Sequence, residues 1–546
     1  MPPDVASPIT LARHALNAGD PMAARRLAQA VLADAPADGA ALWILGEIAV
    51  SLGDIAQAVR WMVRTSLAGH LPDHGRRDLA DRLFRAGFVE DSIAVLMPLR
   101  WLGTASHEDL AHLGRAAASL GRVGQAVRLF RDALLLEPAN AASWRDVAKG
   151  LSATGDANGA VTAAGRAVRC APDDVDACRQ LAVAFQEVGD GRAALACFMA
   201  ALSLSPADVD ILNDLARAMP WADADTAVIW FTRAIMLRPD LVPLRFNRAR
   251  LLLARGRWRD GWDDYRARGT MAPGVPFRSR PIETDLSGQT LYLVRDQGLG
   301  DELFFLRFAP ELRARGARLV YCAGAKLIPL LERTGLFSQV VDLIRTAEPV
   351  ISIGDLPYLL GSEATPPSLP LRPLENREMA WSERLAALGP PPYVGVTWKA
   401  GSPVGANRLI KRLAPESLGQ ALRPLPGTII VLQRNLDRSE LEALSSAAGR
   451  ACHVVDADDD LDDALAVQAA LDAYVAVSNT NVHLRAGLGL GSHVVVCQPE
   501  FRWMTTEDRS PWFPDCLVYR MDGRSSERDV LDTLARDLTR AVERPG

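Results

Sequence analysis

Four registers of small or helix-stopping residues recur at an interval of 34 in the first half of this chain: Gly121, Gly155 and Gly189; Ala126, Ala160 and Ala194; Ala133, Ala167 and Ala201; Pro138, Pro172 and Pro206. A fixed period of that length is the mark of a stacked array of helix pairs. A glycine ends the first helix of each pair, the alanines let the second pack closely on it, and proline stops the second helix. No single pair can bury its apolar face alone, so neighbours cover one another and the stack curls around a concave groove.

The string LGRVGQAVRLFRDALLLEP resembles the second helix of a tetratricopeptide repeat, and SLGDIAQAVRWMVR and DADTAVIWFTRAIMLRP are looser copies. About seven units are expected between residues 8 and 242, the second and third irregular, with FNRARLLLARGRWRDGWDDYRAR closing the array. Such grooves bind peptides or partner proteins; the alternative is an array that only holds the second half or a second copy. Trp61, Met62, Phe198 and Met199 read as interhelical core rather than a ligand box.

Beyond Thr270 the helical stripe stops, and TMAPGVPFRSRPIETDLSGQ reads as a linker. Short apolar runs then alternate with amphipathic helices: TLYLVR, RLVYCAG and VVDLI form one set, and YVGVTW, TIIVLQ, AYVAVSN and HVVVCQ a second. This alternation predicts parallel sheets covered by helices. The Pro-rich segment between the sets, EATPPSLPLRPLENREMAWSERLAALGPPP, suits a hinge. The division expected is an α solenoid over residues 1–270, a linker over 271–289, and two Rossmann-like α/β halves over 290–385 and 386–546.

In open parallel sheets, ligands sit at the carboxyl ends of strands. The first such loop is Asp296-Gln297-Gly298-Leu299-Gly300-Asp301-Glu302. Gly298 and Gly300 admit a ligand to the backbone, and Asp301 is either a helix cap or a base. The spacing is not the dinucleotide fingerprint, which disfavours a nicotinamide site. A second loop, Ser478, Asn479, Thr480, Asn481 and His483, opens another helix and suits a diphosphate, though a capped helix with a core histidine has the same residues.

Other chemistry is weakly represented. The acidic run DADDDLDDA from Asp456 reads as a solvated loop and helix cap rather than a metal site, and no hydrolase, zinc-protease or nucleotide-triphosphatase motif occurs. Near balance of charge, 61 basic against 66 acidic residues, argues against nucleic acid. The 7 scattered cysteines fit free thiols, no run is long and apolar enough for a membrane span, and MPPDVASPIT lacks a signal-peptide pattern, so a cytoplasmic protein is expected.

The order LYLVRDQGLGDELFFLRFAPELRARGARLV, VGVTWKAGSP, VLQ, VSNTNVHLRAGLGLG, FRW and SPWFP over residues 250–522 resembles the heptosyltransferase-related branch of the two-Rossmann (GT-B) glycosyltransferases. The layout as a whole is similar to tetratricopeptide-guided protein O-glycosyltransferases. The resemblance implies transfer of a sugar from a nucleotide-sugar donor to a hydroxyl acceptor, with a protein recruited by the array as that acceptor, and without a metal or resident cofactor. By it the first α/β half is the acceptor side and the second the nucleotide-sugar side. Asp301 matches the family's base, and Arg408, Lys411 and Arg412 are the candidates for neutralising the leaving diphosphate. Asn479, Thr480 and His483 keep the phosphate-loop pattern, but Ser478 stands where the family carries an aspartate that touches the donor sugar. Gln297, Gly298 and Gly300 join the donor list, and Trp398 and Gln433 border the base or sugar. Two other readings stay open: an adaptor that keeps the fold without turnover, and an enzyme acting on a lipid-linked or capsule glycan.

Overall fold

The computed structural model describes residues 7–543 apart from 53, 68–72, 220–222, 269–276, 279, 347, 402–410, 458–459, 498–499, 506–507 and 522–524. The chain forms two compact units, Met1–Ile211 and Leu212–Gly546. The second begins well before residue 270, where the sequence placed the end of the array.

The repeat region is built of helix pairs: α1 and α2 (Pro8–Asn17, Pro21–Asp34), α3 and α4 (Gly39–Ser51, Ile55–Leu67), α5 and α6 (Asp73–Arg85, Val89–Trp101), α7 and α8 (His107–Ser119, Val123–Leu136), α9 and α10 (Ala141–Ala153, Ala157–Cys170), α11 and α12 (Val175–Glu187, Gly191–Leu204), α13 and α14 (Val209–Ala218, Ala224–Leu237), α15 and α16 (Val242–Ala254, Trp258–Tyr265). The 34-residue registers occupy the places expected of them. Gly121, Gly155 and Gly189 take φ of 72°, 82° and 83°, the left-handed turn between the helices of a pair that a side chain resists. Ala133, Ala167 and Ala201 are fully buried, and each proline follows the second helix by two residues. The first unit is thus a helical repeat solenoid of tetratricopeptide type.

The second unit begins within α13 and carries α14–α16 together with an α/β region. Its first sheet comprises β1 (Thr290–Val294), β2 (Arg318–Cys322), β3 (Gln339–Val341) and β4 (Ile351–Ser352) in the order β3-β2-β1-β4, all parallel. Helices α17 (Leu299–Phe305), α18 (Ala309–Ala314), α19 (Ile328–Glu332) and α20 (Leu356–Leu359) belong to this part. The predicted hinge segment ends in α21 (Glu375–Leu388), which packs on the helix Leu461–Ala470.

The second sheet contains β5 (Tyr393–Thr397), β8 (Thr428–Val431), β9 (Cys452–Val454), β10 (Ala473–Val477), β11 (His493–Val496) and β12 (Leu517–Arg520) in the order β12-β11-β10-β5-β8-β9, again all parallel. A small antiparallel ribbon, β6 (Lys399–Ala400) with β7 (Lys411–Arg412), stands beside it. Helices α22 (Pro415–Leu422), α23 (Arg438–Ala448), α24 (Leu461–Ala470), α25 (Thr480–Gly487) and α26 (Glu527–Glu543) complete the region. Every residue of β8, β10 and β11 is buried, as apolar runs covered on both faces must be.

The last repeat pair belongs to the core of this unit. Trp262 on α16 makes edge contacts with Phe305, Phe501 and Trp512 at centroid distances of 6.0, 5.7 and 6.0 Å. Arg268, just beyond α16, is buried with Asp296 and Asp355, its guanidinium 2.5 and 2.6 Å from their carboxylates. The acidic run from Asp456 resolves into structural roles: Asp460 caps α24, Asp462 pairs with Arg333 and Asp463 with Arg377. Among the described residues, no helix is long and apolar enough to cross a membrane.

Candidate functional site

Two strands deliver their following helices to one place. Val294 ends β1 and the chain turns through residues 295–298 into α17; Val477 ends β10 and Ser478-Asn479 leads into α25. The two helix starts nearly touch. A Cβ on Gly300 would stand 3.4 Å from His483 Cδ2 and 3.6 Å from Thr480 Oγ1, ordinary contact distances, so the two helix starts pack together there without demanding glycine. Gly298 has an ordinary extended φ of −78°, and no left-handed backbone calls for glycine there.

Asp301 does two things at this junction. One carboxylate oxygen accepts from the Gly298 amide at 3.3 Å, capping α17, and the other is ion-paired with Arg502. Arg502 reaches in from a 3-10 turn, Phe501–Trp503, beyond the carboxyl end of β11. Its guanidinium lies 4.7 Å from the Phe304 ring centre and 4.8 Å from that of Phe501, and also bonds Glu500 at 3.2 Å. Glu500 in turn accepts from Ser478 Oγ at 3.0 Å and lies 3.2 Å from Lys411 Nζ. Burial alone would raise the Glu500 carboxyl, but Lys411 and Arg502 outweigh it and hold it at about 2. The departure at Ser478 therefore does not leave the site without a carboxylate, because Glu500 stands beside it.

The ribbon sends two of the basic candidates in different directions. Successive residues of a strand point to opposite sides, so Lys411 faces Ser478 and Glu500 while Arg412 turns outward to Glu440, 2.9 Å away, with its side chain 62% exposed. Arg408 lies outside the described residues. Asn479 accepts from the Val482 amide at 3.2 Å and caps α25. His483 is packed edge-on against Phe513 at 5.3 Å; burial first, then the charges of Arg502, Arg307 and Lys411, hold its pKa well below the usual range, so it is neutral.

Three further residues expected at the donor make contacts elsewhere in the fold. Trp398 is fully buried in the core of the second sheet. Gln433 accepts from the amides of Trp398 and Lys399 at 3.1 and 3.0 Å and donates to the carbonyls of Lys399 and Arg434, which ties the ends of β5 and β8 together. Gln297 donates to the Tyr265 hydroxyl at 3.2 Å, facing the last repeat helix.

Sequence reasoning passed over Arg502, Glu500, Arg307 and Arg250. Arg307 is 2% exposed yet among the described residues bonds only neutral acceptors, the carbonyls of Phe304, Pro366 and Trp512 and the Ser368 hydroxyl; burial, then the charge of Arg502, lowers its pKa to about 9. Arg250 on α15 lies within electrostatic reach of Glu500 and Arg502. One signal for it is in the repeats: Gly114, Ala148, Ala182 and Ala216 hold one register at intervals of 34, and the next position carries Arg250. With Lys411 and Arg502, these cations give the place where the two helix starts meet a positive field suited to an anionic ligand.

Residues 9–64 match the family model for the tetratricopeptide repeat. Over 568 aligned residues it is 28% identical to Protein FlbA of Caulobacter vibrioides, spanning 95% of this chain and 88% of that protein. Solved structures similar to part of it include MamA 41-end from Desulfovibrio magneticus RS-1, 22% identical over 30% of this chain and 94% of that one with a TM-score of 0.28. Another is TTC0263, a thermophilic repeat protein of Thermus thermophilus, 18% identical over 33% of this chain and 100% of that one with a TM-score of 0.29.

Proposed function

We propose that this chain is a glycosyltransferase of two Rossmann-like halves that takes a nucleotide-sugar donor and modifies a hydroxyl on a protein recruited by the repeat array. The observation that carries the reading is Asp301 ion-paired with Arg502, which is linked through Glu500 to Lys411, beside the capped start of α25 at the carboxyl ends of two parallel sheets. A carboxylate beside a cluster of cations is what transfer from a diphosphate leaving group needs.

In the proposed step the acceptor oxygen attacks the anomeric carbon as the bond from that carbon to the β-phosphate oxygen breaks. Asp301 takes the hydroxyl proton, and the nucleoside diphosphate leaves with both electrons of the broken bond. Lys411, Arg502 and the amides at the start of α25 meet the charge that builds on it, in a pocket whose dipoles are already in place. The alternative, an adaptor that binds partners without turnover, draws on Ser478. Against it stands Glu500, whose carboxylate is 3.0 Å from that hydroxyl.

The test is intact-mass measurement of proteins co-purified with the full chain from cells that supply the donor. A partner heavier by a whole number of sugar residues, and unmodified when the chain carries Asp301→Asn, supports the reading. Partners of unmodified mass throughout, with no nucleotide-sugar turnover in vitro, support the adaptor.

A further inference from the structure

We infer that Arg502 is a gate on Asp301: without donor it holds the candidate base in an ion pair, and the donor's diphosphate takes the guanidinium over and releases the carboxylate for the acceptor. The inference rests on the donor-site reading above and adds an order of events, donor before acceptor.

The geometry singles out Asp301 as the partner that yields. Arg502 touches two carboxylates, but they are not held alike. Glu500 is fixed from three sides, by Lys411, Ser478 and Arg502, and is 6% exposed. Among the described residues the Asp301 carboxylate has one other bond, the 3.3 Å cap to Gly298, and its side chain is 22% exposed. An anion entering from solvent therefore meets Asp301's side of the guanidinium first.

The guanidinium is also prepared for a second ligand. Phe304 and Phe501 lie against it and keep it in place, and its Nε, buried, donates to no group among the described residues. A buried unmade donor is costly, and a phosphate oxygen can satisfy it. Arginine takes two phosphate oxygens in the fork geometry it uses for a carboxylate, so exchanging one anion for the other needs no rebuilding of the pocket. Formally, Lys411 and Arg502 balance Glu500 and Asp301. A diphosphate shifts that balance toward negative, and Arg307 and Arg250 supply the offsetting field.

Calorimetric titration of the full-length protein with inorganic pyrophosphate, at fixed ionic strength, decides it. Asp301→Asn keeps a cap acceptor but removes the competing charge, so pyrophosphate should bind about tenfold more tightly than to the unmodified protein. Arg502→Lys, checked for an unchanged melt, should weaken binding by about the same factor. A purely structural ion pair gives no tightening. If pyrophosphate binds and Lys411→Ala weakens it, but Asp301→Asn binds equally or less tightly, the gate is overturned while the donor site stands. Binding to none of the proteins overturns the donor site itself, and the gate with it.

Discussion

Lys411 and Arg412 show how much one position matters in a strand. They carry the same charge side by side, yet the two-residue period sends one to Glu500 and the other to Glu440 at the surface. Lys411→Ala should lower nucleotide affinity at least tenfold and, by leaving Glu500 short of a partner, cost about 1–3 kcal/mol of stability; Arg412→Ala should change stability by under about 0.5 kcal/mol. Denaturant melts and calorimetry on the two variants check this. Asp301→Asn should reduce turnover by about 10²–10⁴-fold in a protein that still melts cooperatively, and full turnover would remove it as the base. Glu500 gives a pH signature. Its folded pKa of about 2 lies below the ordinary 4.5, so its stabilisation is complete above pH 4.5 and is lost as pH falls from there toward 2. His483, held neutral, adds stability that is complete above about 6.5 and declines below it. The stability gap between the unmodified protein and Glu500→Gln should therefore stay flat from pH 7 to 5 and narrow below 4.5. A gap that ignores pH would contradict the pairing. Sequence placed Asp301, Asn479 and His483 correctly beside helix starts, because caps and loops after strands are local. Glu500 and Arg502 did not stand out because their partners lie on other elements, 22 residues away at Ser478 and 201 away at Asp301.

Elements were legible in proportion to their length and burial. The five-residue runs of β1, β2, β5 and β10 announced themselves, whereas β4, of two residues, and β9, of three, with His453 and Val454 incompletely buried, carry too little pattern to stand out. The repeat helices were the clearest of all, since small residues at a fixed interval leave few alternatives. What the period did not reveal is that the last pair changes use. The residues after α16 place Arg268 between Asp296 and Asp355, and losing that cation leaves two buried carboxylates side by side. Arg268→Ala should cost about 3–5 kcal/mol, read by urea melts. A change below about 1 kcal/mol would show that the triad does not hold α16 to the first sheet.

At the scale of the molecule, the unit boundary makes a sharp statement about truncation. Removing residues 1–206 leaves Leu212–Gly546 whole, so the product should fold and bind nucleotide but lose selection of its protein partner. Removing residues 1–270 takes Trp262, Tyr265 and Arg268 out of the core, and the remainder should aggregate or melt without a cooperative transition. Circular dichroism and size-exclusion profiles of the two products distinguish these outcomes. The account as a whole depends on an anion site between two sheets that a chain of near-neutral charge would not otherwise have. Its most direct test is calorimetry of the full chain against uridine, guanosine, cytidine and thymidine diphosphates. It predicts that one binds in the micromolar range, with at least tenfold loss in Lys411→Ala and none in Arg412→Ala; no binding by any, or binding indifferent to Lys411, would contradict it.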